Sequence, residues 1–182
     1  MTAIRTNRLD LIPMTPGFLR ASLSGDLAEA ERDIGLALPE TWPDIQAVLA
    51  LRLGQLESDP TLQPWLLRAI GLRSNSEMVG HIGFHTSPGA SYLKQWSPGG
   101  VEFGFTVFPR HRRNGYAREV SVALMQWARD LHGVTSFVVT VSPRNEASLA
   151  VAAALGFVRV GAHDDEVDGP EDVLVLNDVP VA

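Results

Sequence analysis

Residues 101–120 read VEFGFTVFPRHRRNGYAREV. The opening alternates cleanly, so that Val101, Phe103, Phe105 and Val107 share one face of a strand and Glu102, Gly104, Thr106 and Phe108 the other. Four basic side chains follow in a row, Arg110 to Arg113. Gly115 comes next, and beyond it Val120, Leu124, Trp127 and Leu131 recur at helical spacing, with Gly133 as the stop. A helix beginning near Gly115 aims unpaired N–H groups and the positive end of its dipole back at the loop, which makes a seat for a phosphate or a similar anion. Gly115 lets the backbone come close to that anion or adopt positive φ, Ala117 avoids a clash, and Arg112 or Arg113 adds charge-assisted hydrogen bonds. The same residues also read as a solvated basic turn in an arginine-rich chain whose one lysine is Lys94. Spacing alone leaves both readings open.

Outward from this stretch, SFVVTV at 136–141 is a continuous apolar run of the kind found in a strand buried on both faces. Glu146 to Leu155 reads as a second short helix. Strand, turn, helix, strand and helix from 101 to 155 predict a right-handed parallel crossover. Elsewhere the pattern predicts antiparallel pairing. AIRTNRLDLIPM (3–14) reads as a first strand ended by Pro13 and Pro16, and two strands flank a turn at Ser74 to Glu77. GFVRVGAHDDEV, a Val-Asp-Gly-Pro turn and EDVLVLND close the chain as a hairpin. From Thr15 to about Leu56 the pattern is helical, broken at Gly25 and near Gly35, with Ile45, Leu49, Leu53 and Leu56 on one stripe. Residues 86–100 form a Pro/Gly/Ser loop carrying Tyr92 and Trp96. With no repeat and no long linker, 1–182 reads as one domain of α/β class.

Composition narrows the functions. The chain has 182 residues, 45% of them hydrophobic, enough for one sizeable core. No apolar run approaches the roughly 18 residues a membrane span needs, and the first residues lack a signal-peptide core, so a cytoplasmic address is expected. The absence of cysteine excludes disulfides, thiolate metal sites and an enzyme thioester, and no metal is predicted. The net charge of −6 is concentrated after Gly156, where seven acids face one arginine. The balanced remainder argues against a nucleic-acid partner while leaving room for a local anion site.

RRNGYA (112–117) resembles the Arg/Gln-x-x-Gly-x-Gly/Ala pyrophosphate loop of the GNAT superfamily of acyl-CoA-dependent N-acetyltransferases, with Arg112, Gly115 and Ala117 at the pattern positions. The 101–120 stretch, then NEASLAVAAALGFVRVG, is similar to the RimJ/RimL-type branch, with its Gly-Tyr-Ala-x-Glu turn and Asn-x-x-Ser helix ending in Leu-Gly-Phe. The opening IRTNRLDLIPMTP resembles that branch's first strand. The likeness is strongest over 101–161 and weak over 25–64. It implies a GNAT α/β sandwich, a mixed and largely antiparallel sheet with one parallel pair flanked by helices, and acetyl-CoA as cofactor. The resemblance assigns Arg112, Arg113, Asn114, Gly115 and Ala117 to the cofactor diphosphate, mostly through main-chain N–H groups, with Phe105, Val107 and Tyr116 in the same cofactor-binding set. It places Asn145 on the pantetheine arm, although Asn145 reads equally well as the N-cap of helix 146–155.

Direct transfer requires the acceptor nitrogen to lose a proton while the departing thiolate is stabilised. Glu102 is the first candidate base, acting directly or through water. It stands beside Gly104, whose missing side chain leaves room for a ligand, and such a site can raise a carboxylate toward neutrality. The competing reading is an ion pair with a neighbouring arginine. Many GNAT enzymes place a thiolate-protonating tyrosine five positions before the Phe of Gly-Phe, but here that position is Ala152. Ser148 is the nearest hydroxyl, and a solvent-facing helix serine is the alternative. His81 and His85 read either as proton relays or as satisfied sheet residues.

Two acceptor classes follow: a protein or peptide N-terminus, favoured by the RimJ/RimL resemblance, or a small amine such as an amino acid, polyamine or aminoglycoside. A non-catalytic acyl-CoA sensor is a third reading, supported by Ala152. Residues 25–64, 86–100 and 163–172 are expected to shape the acceptor side. Within the last of these, Asp164, Asp165, Glu166, Asp168, Glu171 and Asp172 either steer cationic acceptors or keep an exposed hairpin soluble. A monomer and a homodimer are both compatible with the sequence.

Overall fold

The structure is a computed structural model and describes residues 2–43, 45–165 and 169–177. The chain divides into two compact units, one made of residues up to Gly83 with Phe105–Tyr116, the other of Phe84–Gly104 with Ala117 onward.

In the first unit β1 (Ile4–Arg5) and β2 (Leu9–Pro13) run antiparallel, with Ile4 opposite Leu11. The single opening strand expected from the sequence is therefore two. Thr6 makes the break: its N–H and hydroxyl both donate to the Leu9 carbonyl, at 2.9 and 3.0 Å, and its Oγ1 accepts from Leu9 N–H at 2.9 Å, closing a local turn in place of strand pairing. β3 (Arg68–Leu72) pairs with β2, and β4 (Met78–Phe84) with β3, all antiparallel. The helical segment resolves into α1 (Pro16–Ser24), α2 (Leu27–Ile34) and α3 (Gln46–Ser58). Thr15 caps α1 by accepting from Phe18 N–H at 3.0 Å, Asp26 caps α2 by accepting from Glu29 N–H at 3.0 Å, and the helices stop at Gly25 and Gly35 as expected. Phe18, Leu19, Leu49 and Leu56 join Trp42, Leu66 and Phe108 in one buried cluster. Arg68 is 1% exposed and donates to the Pro64 carbonyl at 2.8 Å; burial lowers its pKa to about 10.

The second unit starts from the first half of β5 (Val101–Val107), which runs parallel to β6 (Ser136–Val141) with Glu102 opposite Val138. β8 (Gly169–Asn177) pairs antiparallel with both β6 and β7 (Val158–Asp165), giving the predicted closing hairpin. Glu166, Val167 and Asp168 of its turn, and Asp178 beyond it, lie outside the described residues. α5 (Glu146–Leu155) has the predicted bounds. Phe103, 1% exposed, packs edge-on against Phe84 and Phe157 at 6.1 Å each, so its truncation to Ala costs roughly 3–5 kcal/mol. α4 (Tyr116–His132) starts and stops where predicted, but Leu131 is 69% exposed. The buried stripe is centred on Val120, Leu124 and Ala128 with Ser121 and Met125; Leu131 shares that face, between Val120 and Leu124 in angle, but stands in the last turn, where it is exposed.

Candidate active site

Within the second unit the main chain sets a pair of side chains first. His85 N–H donates to the Glu102 carbonyl at 2.9 Å, which holds residue 85, one past the end of β4, beside residue 102 on β5. Glu102 leaves the strand opposite the face of Phe103 and is 5% exposed. Its Oε2 stands 3.3 Å from His85 Nδ1, its Oε1 accepts the Thr140 hydroxyl of β6 at 2.7 Å, and the Tyr92 side chain hydrogen-bonds the same carboxylate. Burial pushes this carboxyl up, but the hydrogen bond and charge of His85, then Thr140 and Tyr92, outweigh it and hold Glu102 below the usual carboxylate range. Three expectations are corrected here. The pKa is lowered, not raised, because three donors converge on the carboxylate, and the partner is a histidine, not an arginine. The space beside Gly104 is also filled: a Cβ there would stand 3.1 Å from His85 Nε2.

A cavity of about 540 Å³ opens on this pair, a size suited to a small ligand or to the end of a chain. Tyr92 and Trp96, from the loop before β5, give it aromatic walls, and His163, Asp165 and Glu171 line it from the closing hairpin. His163 Nε2 and Glu171 Oε2 stand 3.8 Å apart. Of the acidic run, Asp165 and Glu171 thus face the cavity, Asp164 is exposed, and Asp172 binds Arg159 at 2.6 Å; Glu166 and Asp168 lie outside the described residues. Among the described residues no cluster of metal-ligating side chains stands together, and no helix is long and apolar enough to cross a membrane.

The basic turn belongs to the first unit up to Tyr116. Arg110 and His111 both face Glu77, His111 at 3.4 Å. Arg112 folds back, its Nε donating to the Val107 carbonyl at 3.1 Å, and Asn114 Nδ2 donates to the carbonyls of His111 and Arg112 at 3.0 and 3.3 Å. Arg113 and Gly115 both have positive φ, 62° and 78°. Left-handed residues in alternation turn successive N–H groups toward one side, and α4 begins immediately after, so the exposed turn has the make-up of an anion nest. The residues fit a diphosphate. Sequence reasoning missed Arg8, whose guanidinium lies 4.8 Å over the Tyr116 ring and whose Nη2 would be 3.6 Å from a Cβ on Gly115. No local signal connects positions 8 and 116. Phe105 and Val107 are half-buried, unlike Val101 and Phe103 on the same face.

The remaining candidates occupy their own places. Asn145 caps α5, its Oδ1 accepting from Ser148 N–H at 3.1 Å. Ser148 is half-buried on the first turn of α5, Ala117 is half-buried at the start of α4, and Ala152 is 3% exposed. His81, 7% exposed, packs edge-on against Phe108 at 6.4 Å, the arrangement of a core residue.

Comparison with known proteins agrees with this architecture. The chain is 27% identical over 163 residues to the uncharacterized N-acetyltransferase YjdG of Bacillus subtilis, a match covering 87% of this chain and 90% of the relative. In fold it is similar to a GnaT-family acetyltransferase from Bordetella pertussis, with TM-score 0.70, 20% identity and coverage of 96% and 99% of the two chains. It is likewise similar to RimL, the ribosomal L7/L12 alpha-N-protein acetyltransferase solved with coenzyme A, with TM-score 0.64, 16% identity and coverage of 96% and 97%. The model of the acetyltransferase (GNAT) domain matches residues 8–158. The chain belongs to the GNAT acetyltransferase family.

Proposed function

We propose that this GNAT acetyltransferase moves the acetyl group of acetyl-CoA onto the α-amino group of a peptide or protein, in the manner of the RimJ/RimL-type branch. The observation that carries the acceptor class is the state of Glu102. A site whose buried carboxylate is held below its usual range and taken up by three donors gives mild base assistance, sufficient for an α-amino group that titrates at about 7.7–8.0 but poorly matched to a lysine-like amine near 10.4. The similarity to RimL, named for an alpha-N-protein acceptor, points the same way. The family match runs through both compact units, which supports treating 1–182 as one catalytic domain.

Acetyl-CoA supplies the activated acyl group. The 112–117 turn supplies the anion seat for its diphosphate, chiefly through main-chain N–H groups with Arg112 and Arg113 beside them, and Phe105, Val107, Asn114, Tyr116 and Asn145 complete the cofactor-binding set. Glu102 anchors proton removal from the amine at the cavity, and Ser148 is the hydroxyl assigned to the departing thiolate, since Ala152 offers none. A small amine is the second reading, favoured by Asp165 and Glu171 in the cavity wall.

An acceptor screen with acetyl-CoA, read by thiol release and product mass, decides. The expected result is acetylation of peptides with a free N-terminus and none of N-blocked, lysine-containing peptides. Acetylation of spermidine or an aminoglycoside in preference to every peptide would overturn the peptide reading. Acetyl-CoA binding without transfer to any amine would leave a sensor.

A further inference from the structure

We infer that His85 Nε2 is the atom that receives the acceptor's proton, and that Glu102 is a buried positioning residue behind it. This rests on the acetyl-transfer reading above and names the residue that meets the amine. Both groups line the cavity, but they present themselves differently. The His85 side chain is 38% exposed and that of Glu102 is 7% exposed. Both Glu102 oxygens are engaged inside the protein, Oε1 by Thr140 and Oε2 by His85 Nδ1, so the carboxylate cannot turn to an incoming amine without losing one of them. A histidine whose Nδ1–H donates to a carboxylate carries its lone pair on Nε2 in the neutral form, and a base oriented by a third group is the general pattern of activated proton transfer. The 2.9 Å main-chain bond between His85 and Glu102 holds the two residues side by side, and the missing side chain of Gly104 leaves the space that Nε2 occupies. The other titratable groups around this space are Tyr92, His163, Asp165 and Glu171.

In the reaction the lone pair of the neutral amine attacks the thioester carbonyl carbon. The C–N bond forms, the C–S bond breaks, and sulfur leaves with the electron pair. The nitrogen's proton passes to His85 Nε2 and from there to the thiolate, by way of water and the Ser148 hydroxyl. The products are the N-acetylated amine and the thiol, with no net gain or loss of charge.

The test is the pH profile of kcat and KM for a free N-terminal peptide, with wild type, His85→Gln, His85→Ala, Glu102→Gln and Glu102→Asp, alongside imidazole nitrogen resonances. His85→Gln is expected to lower kcat by roughly 100-fold, to leave acetyl-CoA affinity within about twofold, and to remove the acid limb of the profile; added imidazole restores turnover to His85→Ala. Glu102→Gln keeps residual turnover, and Glu102→Asp, which restores the carboxylate behind Nδ1, recovers part of the rate. Thermal melts and acetyl-CoA titration confirm that each variant is folded. If His85→Gln keeps near-normal turnover with its acid limb intact while Glu102→Gln abolishes it, Glu102 acts itself or through water and the inference falls. The resonances do not depend on turnover. The neutral ring should carry its proton on Nδ1, and a proton on Nε2 would overturn the assignment even if no amine proves to be an acceptor, an outcome that would separately sink the acetyl-transfer reading.

Discussion

At residues 112–116 two left-handed residues, Arg113 and Gly115, give the main chain the make-up of a nest, while the side chains of Arg112 and Asn114 fold back to close the turn. At Glu102 the arrangement is reversed. There the main chain only sets the register, and the proposed chemistry rests on side chains drawn from β5, β6, the residue after β4 and the loop before β5. A site of the first kind tolerates side-chain loss and fails on backbone change; one of the second kind behaves the other way. Each of the following substitutions tests that contrast.

The largest effect is expected from Gly115→Val. A β-branched residue at φ 78° is strained, and realigning the turn removes at least two charge-assisted N–H bonds at about 2 kcal/mol each, so turnover at low acetyl-CoA falls by roughly 1,000-fold. The melting temperature should drop by only a few degrees. Glu102→Gln comes next, with kcat lowered by roughly 100-fold in steady-state assays. Arg112→Ala removes one side-chain bond to the Val107 carbonyl and leaves the main-chain donors, so the Kd for acetyl-CoA rises by about fivefold, the equivalent of about 1 kcal/mol.

These contrasts also separate what was legible in the sequence from what was not. The turn was readable because its requirements are local: Gly115, Ala117 and the helical repeat after them lie within a few residues, and α4 and α5 begin where their caps and periodicity placed them. The closing hairpin was readable for the same reason. Leu131 keeps the expected helical face but is exposed, because periodicity does not say how far along the helix the core extends. His85 and Glu102 were each picked out as candidates, but their pairing, the role of Thr140 and the lowered pKa depend on which strands become neighbours. Arg8 was missed entirely, since it meets Tyr116 across more than a hundred residues of chain.

Smaller effects sharpen the picture. The folded state holds Glu102 below its ordinary range, so the stability this confers is fully present above the unfolded carboxyl value of about 4.3 and is lost as pH falls through the lower folded value. Thermal melts taken downward from pH 5 should therefore fall more steeply for wild type than for Glu102→Gln. The smallest effect is expected at the cavity mouth. Neutralising Asp165 and Glu171, which face the cavity, should raise KM for a cationic acceptor by about two- to threefold at low salt and leave it unchanged at high salt. An unchanged KM at low ionic strength would reduce these carboxylates to structure.

The division between a main-chain seat and a side-chain proton site is tested most directly by one calorimetric titration of acetyl-CoA into wild type, Gly115→Val and Glu102→Gln. The predicted result is wild-type affinity for Glu102→Gln and no measurable binding for Gly115→Val with its fold intact. Wild-type affinity in Gly115→Val, or loss of binding in Glu102→Gln, would contradict it.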